Sequence, residues 1–164
     1  MKKILTLCLV AMMAVTTAKA QVELGAIVGG LNGASAKFWL DDASAIQADL
    51  AVGLTQAAAQ GGSFSMWDFT LNPNYMYHFG LAEGFDLYAG GGVNIGMASP
   101  LGWGGNYLSG KFGINGVVGV DYFISGAPIV LALDFRPGYG MLFADQYQGS
   151  FFDWKLAFAV RYTL

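Results

Sequence analysis

A histidine held beside a carboxylate is the first requirement for nucleophilic or general-base catalysis. This chain of 164 residues carries one histidine, His78. A turn at Leu81-Ala82 would set His78 opposite Asp86, half of a nucleophile triad. Two features argue against catalysis. His78 is followed by Phe79 and Gly80, which supply no nucleophile, and the alternation of the segment turns its ring to the inside of the fold. The favoured reading is a satisfied interior pair.

The same alternation puts Glu23, Asp49, Asp68, Asp86, Asp121, Asp134 and Asp153 on one face of their segments, with the bases Lys37, Lys111, Lys155, Arg136 and Arg161 on that face too. Paired acids could hydrolyse a bond and clustered acids could hold a metal. These acids, however, come from different heights and lack ligand spacing, so neither a catalytic residue, a metal nor a cofactor is assigned. A charge-paired plug filling a narrow interior accounts for them better. Three contacts are expected within it. Lys37 lies diagonal to Asp49 when their segments pair across Asp42, Asp134 and Arg136 share a face two residues apart, and Arg161 lies beside Glu23 where the ends of the chain meet. The triplet Gly90-Gly91-Gly92 precedes no helix, so it is not a phosphate loop.

The elements that must position these residues are strands. In the last stretch, Phe151 to Leu164, the residues Phe152, Trp154, Leu156, Phe158, Val160, Tyr162 and Leu164 share one face. Asp153, Lys155, Ala157, Ala159, Arg161 and Thr163 share the other. A period of two marks a strand, here with hydrocarbon on one side and a confined polar space on the other. The same pattern predicts strands over 22–30, 34–40, 44–55, 67–79, 85–97, 110–123, 129–141 and 151–164. Leu31-Asn32-Gly33 is expected as a connection, and 56–66, 98–109 and 142–150 as longer loops. Pro73 and Pro137 cannot donate to a ladder, so irregular pairing is expected at both. The loop Leu101 to Tyr107 reads equally as a contact surface and as a compact tip.

Met1-Lys2-Lys3, the apolar run Ile4 to Val15 and Ala18-Lys19-Ala20 have the form of a cleaved signal peptide over 1–20. That leaves 21–164 as one domain. Cys8 lies in the leader, so the remainder has no cysteine and no disulfide. Three of the eight basic residues leave with the leader, and five then face eleven acidic ones. No nucleic-acid footprint survives that balance. The hydrophobic share is 55%, the mean hydropathy +0.48 and the charged share 12%. The last is half the roughly 25% of soluble domains. Yet beyond Ala20 no apolar run is long enough for a membrane helix. Alternating lipid-facing strands reconcile the two facts.

A soluble barrel also alternates, but with its apolar face inward. Eight strands enclose space only for a filling of side chains or one small ligand. The Phe, Trp, Tyr, Leu and Ile of all eight strands would overfill it, whereas the other face is rich in glycine and alanine. The expected fold is therefore all-β, an eight-stranded antiparallel up-and-down transmembrane β-barrel. By loop length, 56–66, 98–109 and 142–150 face outside and the turns at Asp41-Asp42, Glu83 and Gly126 face the periplasm.

The leader, the eight strands, the piece Pro128-Ile-Val-Leu-Ala-Leu-Asp-Phe-Arg-Pro137 and the ending Ala159-Val-Arg-Tyr-Thr-Leu164 together resemble the small eight-stranded outer-membrane β-barrel proteins. The resemblance implies a place in the bacterial outer membrane, contact with its lipids and insertion by the barrel-assembly machinery. That machinery reads a final aromatic residue in the group. Here the last residue is Leu164 and the aromatic is Tyr162. The implied function is structural, adhesive or stress-related, without catalysis. Two alternatives are a lipid A deacylase or acyltransferase, which in the deacylases resembles an H-x-S arrangement on the lipid side, and a small hydrophobic-ligand conduit with a laterally open wall.

Overall fold

The computed structural model describes residues 21–59, 62–101, 108–144 and 147–164. The leader 1–20, residues 60–61, the loop segment 102–107 and residues 145–146 lie outside the described residues. Eight antiparallel strands close into one ring in chain order: β1 Val22–Gly29, β2 Leu31–Trp39, β3 Ser44–Ala59, β4 Gly62–Ala82, β5 Phe85–Pro100, β6 Ser109–Phe123, β7 Ile129–Ala144 and β8 Tyr147–Thr163. Following directly paired residues from Glu23 around the ring reaches Asp153 on β8, whereas Glu23 itself pairs with Thr163. The stagger is ten residues (163 − 153). A staggered ring of this size tilts its strands by about 35–45° and leaves an interior only as wide as its side chains.

Burial follows the parity expected from sequence. Leu50, Phe112, Phe135 and Val160 are exposed on the outer face, while Lys37, Asp49, Lys111, Asp134 and Arg161 are buried within. The inner face has room because large groups sit across from small ones. Tyr88 is fully buried and pairs with Gly119, and a Cβ on that glycine would stand 2.5 Å from the Tyr88 ring and hydroxyl. Gly119→Val is therefore expected to cost about 1–3 kcal/mol by overpacking, read as a lowered urea-unfolding midpoint. An unchanged midpoint would mean that both Tyr88 and the Leu133 carbonyl, also 2.5 Å from that Cβ, can give way.

The strands reach further than expected at one end. Among the described residues, 56–66 and 142–150 are largely ladder, with Gln56 pairing Ser65 and Leu142 pairing Gly149, while 98–109 joins the ladder at its two ends, Ala98 pairing Ser109. Their glycines, serines and alanines carry no apolar alternation, but each strand still satisfies its neighbour's backbone groups. The first connection is also shorter than expected, because Leu31 already belongs to β2 and is buried. Gly29 adopts φ 112°, and Asn32 closes the turn by accepting from Gly29 N at 3.2 Å and donating to Gly29 O at 3.0 Å. The prolines do interrupt the ladder. Between β4 and β5 the pairing passes from Leu71–Ile95 to Asn74–Gly92, and between β6 and β7 from Asn115–Gly138 to Val118–Phe135.

At the opposite end the β2–β3 turn is held by Asp41, whose Oδ1 accepts from Ala43 N at 2.8 Å and Ser44 N at 2.7 Å. These two donors hold its carboxyl below the ordinary carboxylate range. A depressed folded pKa means that the contribution is complete above the unfolded value near 4 and is lost as pH falls through the folded one. Asp41→Ala should therefore lower stability slightly at neutral pH, with the difference from wild type shrinking as pH falls below about 4. Identical pH–stability curves would dispose of this role.

Candidate functional site: the charged lumen

Three polar layers stack inside the barrel. Nearest the chain ends, Lys37 pairs with Asp121, and Arg161 lies 3.5 Å from Glu23 and 3.4 Å from Asp121. Trp39 Nε1 donates to Glu23 at 2.7 Å, and Arg161 Nη1 donates to Gln47 at 3.3 Å. The expected Arg161–Glu23 contact across the β1–β8 seam is present. Lys37 does sit diagonal to Asp49 in the β2–β3 register, since its direct partner is Gln47 and Asp49 faces Ser35. Its charge nevertheless goes to Asp121, across the lumen on β6 rather than on the next strand.

In the middle layer Arg136 is held between Asp134 and Asp49, its Nε donating to Asp134 at 3.0 Å and its Nη1 to Asp49 at 2.5 Å. Gln47 Nε2 donates to both oxygens of Asp49, at 3.1 and 3.0 Å. Beside it runs an amide chain in which Asn94 donates to Asn115 at 2.7 Å and Asn115 to Asn74. The far layer joins Lys111 and Lys155 to Asp68 and Asp153. Lys155 Nζ is 3.3 Å from Asp68 and 3.4 Å from Asp153, and Thr55 Oγ1 donates to Asp68 at 2.7 Å. Above it five apolar groups, Ala57, Met66, Ala98, Leu142 and Phe151, close the lumen, with Lys111 Nζ 4.3 Å from the Phe151 ring.

The expected pairing of His78 with Asp86 does not occur. Gly84, at φ 78°, moves the turn from Leu81-Ala82 to Glu83-Gly84, and β4 runs on to Ala82 with an irregularity between Gly80 and Ala82. His78 then faces Tyr88, while Asp86 faces Gly80 and, on β6, Asp121. Asp86 stays at the rim and makes no ion pair among the described residues. The His78 ring packs on Trp39 and Tyr88, with centroids at 4.3 and 5.1 Å. Its Nδ1 is 3.2 Å from Ala43 O, and its Nε2 is 3.3 Å from Lys37 Nζ and 3.4 Å from Asp121. In the neutral ring, the tautomer protonated at Nδ1 satisfies the first two, donating to Ala43 and accepting from Lys37. Among the described residues no hydroxyl or thiol is bonded to it.

Each of the five bases beyond residue 20 is thus inside the barrel and meets at least one carboxylate. Sequence reasoning placed these residues on the correct face and missed the apolar layer above them. The signal for that layer was available: parity carried past Asp153 reaches Phe151, past Asp68 reaches Met66, and past Arg136 and Gly140 reaches Leu142.

A closed ring with an apolar outer face and a lumen filled by paired charges defines the class, and the fold is that of the small eight-stranded outer-membrane β-barrel proteins. No protein-family model and no curated protein matches the chain. Among solved structures the chain is similar to Neisserial surface protein A, with a TM-score of 0.58 at 17% identity over 87% of this chain and 93% of that one. It is also similar to the N-terminal β-barrel domain of Pseudomonas aeruginosa OprF, with a TM-score of 0.56 at 14% identity over 88% of this chain and 96% of that one.

Proposed function

We propose that this chain is a bacterial outer-membrane barrel of structural or adhesive type. It conducts no solute, catalyses no reaction and acts through its outer wall and exterior end. One observation carries the reading: five bases paired with six carboxylates fill the lumen, and an apolar layer lies across them. A solute path would have to break several confined ion pairs at once, each costly to open. The lipid-modifying alternative needs a histidine, a hydroxyl and an acid on the lipid side, and His78 is in the lumen.

The protein reconstituted in a planar bilayer is expected to give no conductance above the bare membrane, and discrete steps would overturn the plug. Lipid A and phospholipid mass spectra are expected to be the same with and without the gene; altered acylation would restore the enzyme. For topology, a cysteine in place of Ser99 should react with an impermeant maleimide on intact cells, and one in place of Glu83 should not.

A further inference from the structure

The β1–β2 hairpin is far shorter than its neighbours and barely long enough to cross a bilayer. β1 has 8 residues and β2 has 9, against 16 and 21 in β3 and β4, while a lipid-crossing strand takes about 9–11. β1 starts at the rim that bears Tyr122 and Tyr162, and its tip ends below the opposite rim. Above that tip β3 and β8 meet directly, Ala57 pairing Phe151 and Ala58 pairing Ser150. Between the tip and this pair, Leu54–Gln56 of β3 and Phe152–Lys155 of β8 have no ladder partner across the seam among the described residues. Thr55 Oγ1 bridges to Asp153 at 3.0 Å on the inside, and Gly30 N donates to Leu156 O at 2.8 Å at the base. On the outside this leaves a notch in the ladder.

Its lining differs from the rest of the lipid-facing surface. Asn32, at the floor, is an exposed outward amide in a hairpin tip, where the other outward positions of β1 and β2 are Val22, Leu24, Ala26, Val28, Ala34, Ala36 and Phe38. The bonds to Gly29 leave it one amide hydrogen and one lone pair. Gln56, also exposed, stands at the top. The flanks are Trp154 at 68%, Phe152 at 65% and Leu54 at 63% exposure, among the most exposed apolar side chains of the barrel. Unpaired strand edges and a free amide are not tolerated against hydrocarbon. A polar group belongs there, at the level where headgroups begin.

We propose that this notch holds the uncharged, hydroxyl-bearing headgroup of an outer-leaflet glycolipid, with Asn32, Gln56 and the free strand edges as its hydrogen-bonding partners and Trp154 as its stacking face. A phosphate is disfavoured because every base beyond residue 20 is engaged in the lumen. Sugar hydroxyls both donate and accept, which matches an amide and two strand edges, and an indole offers the flat apolar face that sugar rings cover. The assignment rests on the membrane placement proposed above.

The test is native mass spectrometry of the full barrel from bilayer discs of phosphatidylcholine doped with equal amounts of a glucosyl diacylglycerol and phosphatidylglycerol, all with the same acyl chains. The glucosyl lipid should be retained about tenfold over either phospholipid, equivalent to about 1.4 kcal/mol. Asn32→Leu and Trp154→Ala should each abolish the preference, while Phe112→Ala on another part of the wall should leave it. Asn32→Leu also removes the Gly29 cap, so Trp154→Ala carries the test if that variant does not fold. Equal retention of all three lipids, preference for phosphatidylglycerol, a second copy of the chain in place of lipid, or equal loss in Phe112→Ala would each overturn the site. Failure of the wild-type chain to enter the discs would instead overturn the membrane placement.

Discussion

Asp121→Ala should lower the stability of the barrel by about 3–5 kcal/mol, the range for stripping one partner from a buried ion pair. Asp121 is the only carboxylate paired with Lys37 among the described residues, and it also lies 3.4 Å from Arg161. Without it the Lys37 ammonium keeps His78 at 3.3 Å and the faces of Tyr88 and Trp39 at 4.7 and 5.5 Å. None of these carries a compensating charge. Arg161 is less affected because Glu23 remains. Asp49→Ala and Asp134→Ala should both destabilise, but less, since Arg136 retains the other carboxylate in each case. Urea unfolding of the reconstituted protein, scored by heat-modifiable gel mobility, gives the three midpoints. Midpoints equal to wild type in all three variants would mean that the lumen charges are hydrated and not a network. A larger loss in Asp49→Ala than in Asp121→Ala would mean that Lys37 has another partner.

The ordering of those effects could not have been written from the sequence. Parity assigned Lys37, Asp49, Asp121, Asp134, Arg136 and Arg161 to the lumen because a two-residue period survives any uncertainty in strand ends. Adjacent-strand contacts such as Arg161–Glu23 followed from closure alone. Contacts across the lumen did not, because they depend on the stagger of the ring, to which every turn contributes. The displaced turn at Gly84 shows the sensitivity: a shift of two residues takes His78 from Asp86 to Tyr88. The apolar layer of Met66, Leu142 and Phe151 was hidden for another reason. Its inward residues are as apolar as outward neighbours such as Trp67, Met141, Phe143 and Phe152, so the contrast that reveals alternation is gone although the ladder persists. The notch above Gly30 combines both effects. It exists because one hairpin is short and two strands beyond it still find each other, a relation between segments about ninety residues apart.

Removal of Tyr162, Thr163 and Leu164 should prevent the barrel from forming. On β8, Tyr162 pairs with Leu24 on one side and Ile129 on the other, and Thr163 pairs with Glu23. Thr163 N donates to Pro128 O and Leu164 N to Val22 O, both at 2.9 Å. Truncation therefore strips the last rung from both neighbours at once and leaves the start of β1 and the start of β7 without partners where the ring must close. It also removes the Tyr162 and Leu164 side chains, both exposed on the outer face, which we propose are recognised during insertion. Arg161→Ala leaves the ladder intact, and Glu23 keeps its bond from Trp39 while Asp121 keeps Lys37. That variant should insert and lose about 1.5–3 kcal/mol, the scale of a charged hydrogen bond. Refolding into lipid vesicles separates the two contributions of the tail, because no assembly machinery is present there. The truncated chain should keep unfolded gel mobility in cells and in vesicles alike. Folding in vesicles but not in cells would assign the tail to recognition alone, and folding at wild-type yield in both would remove the β1–β8 seam as the step that closes the barrel.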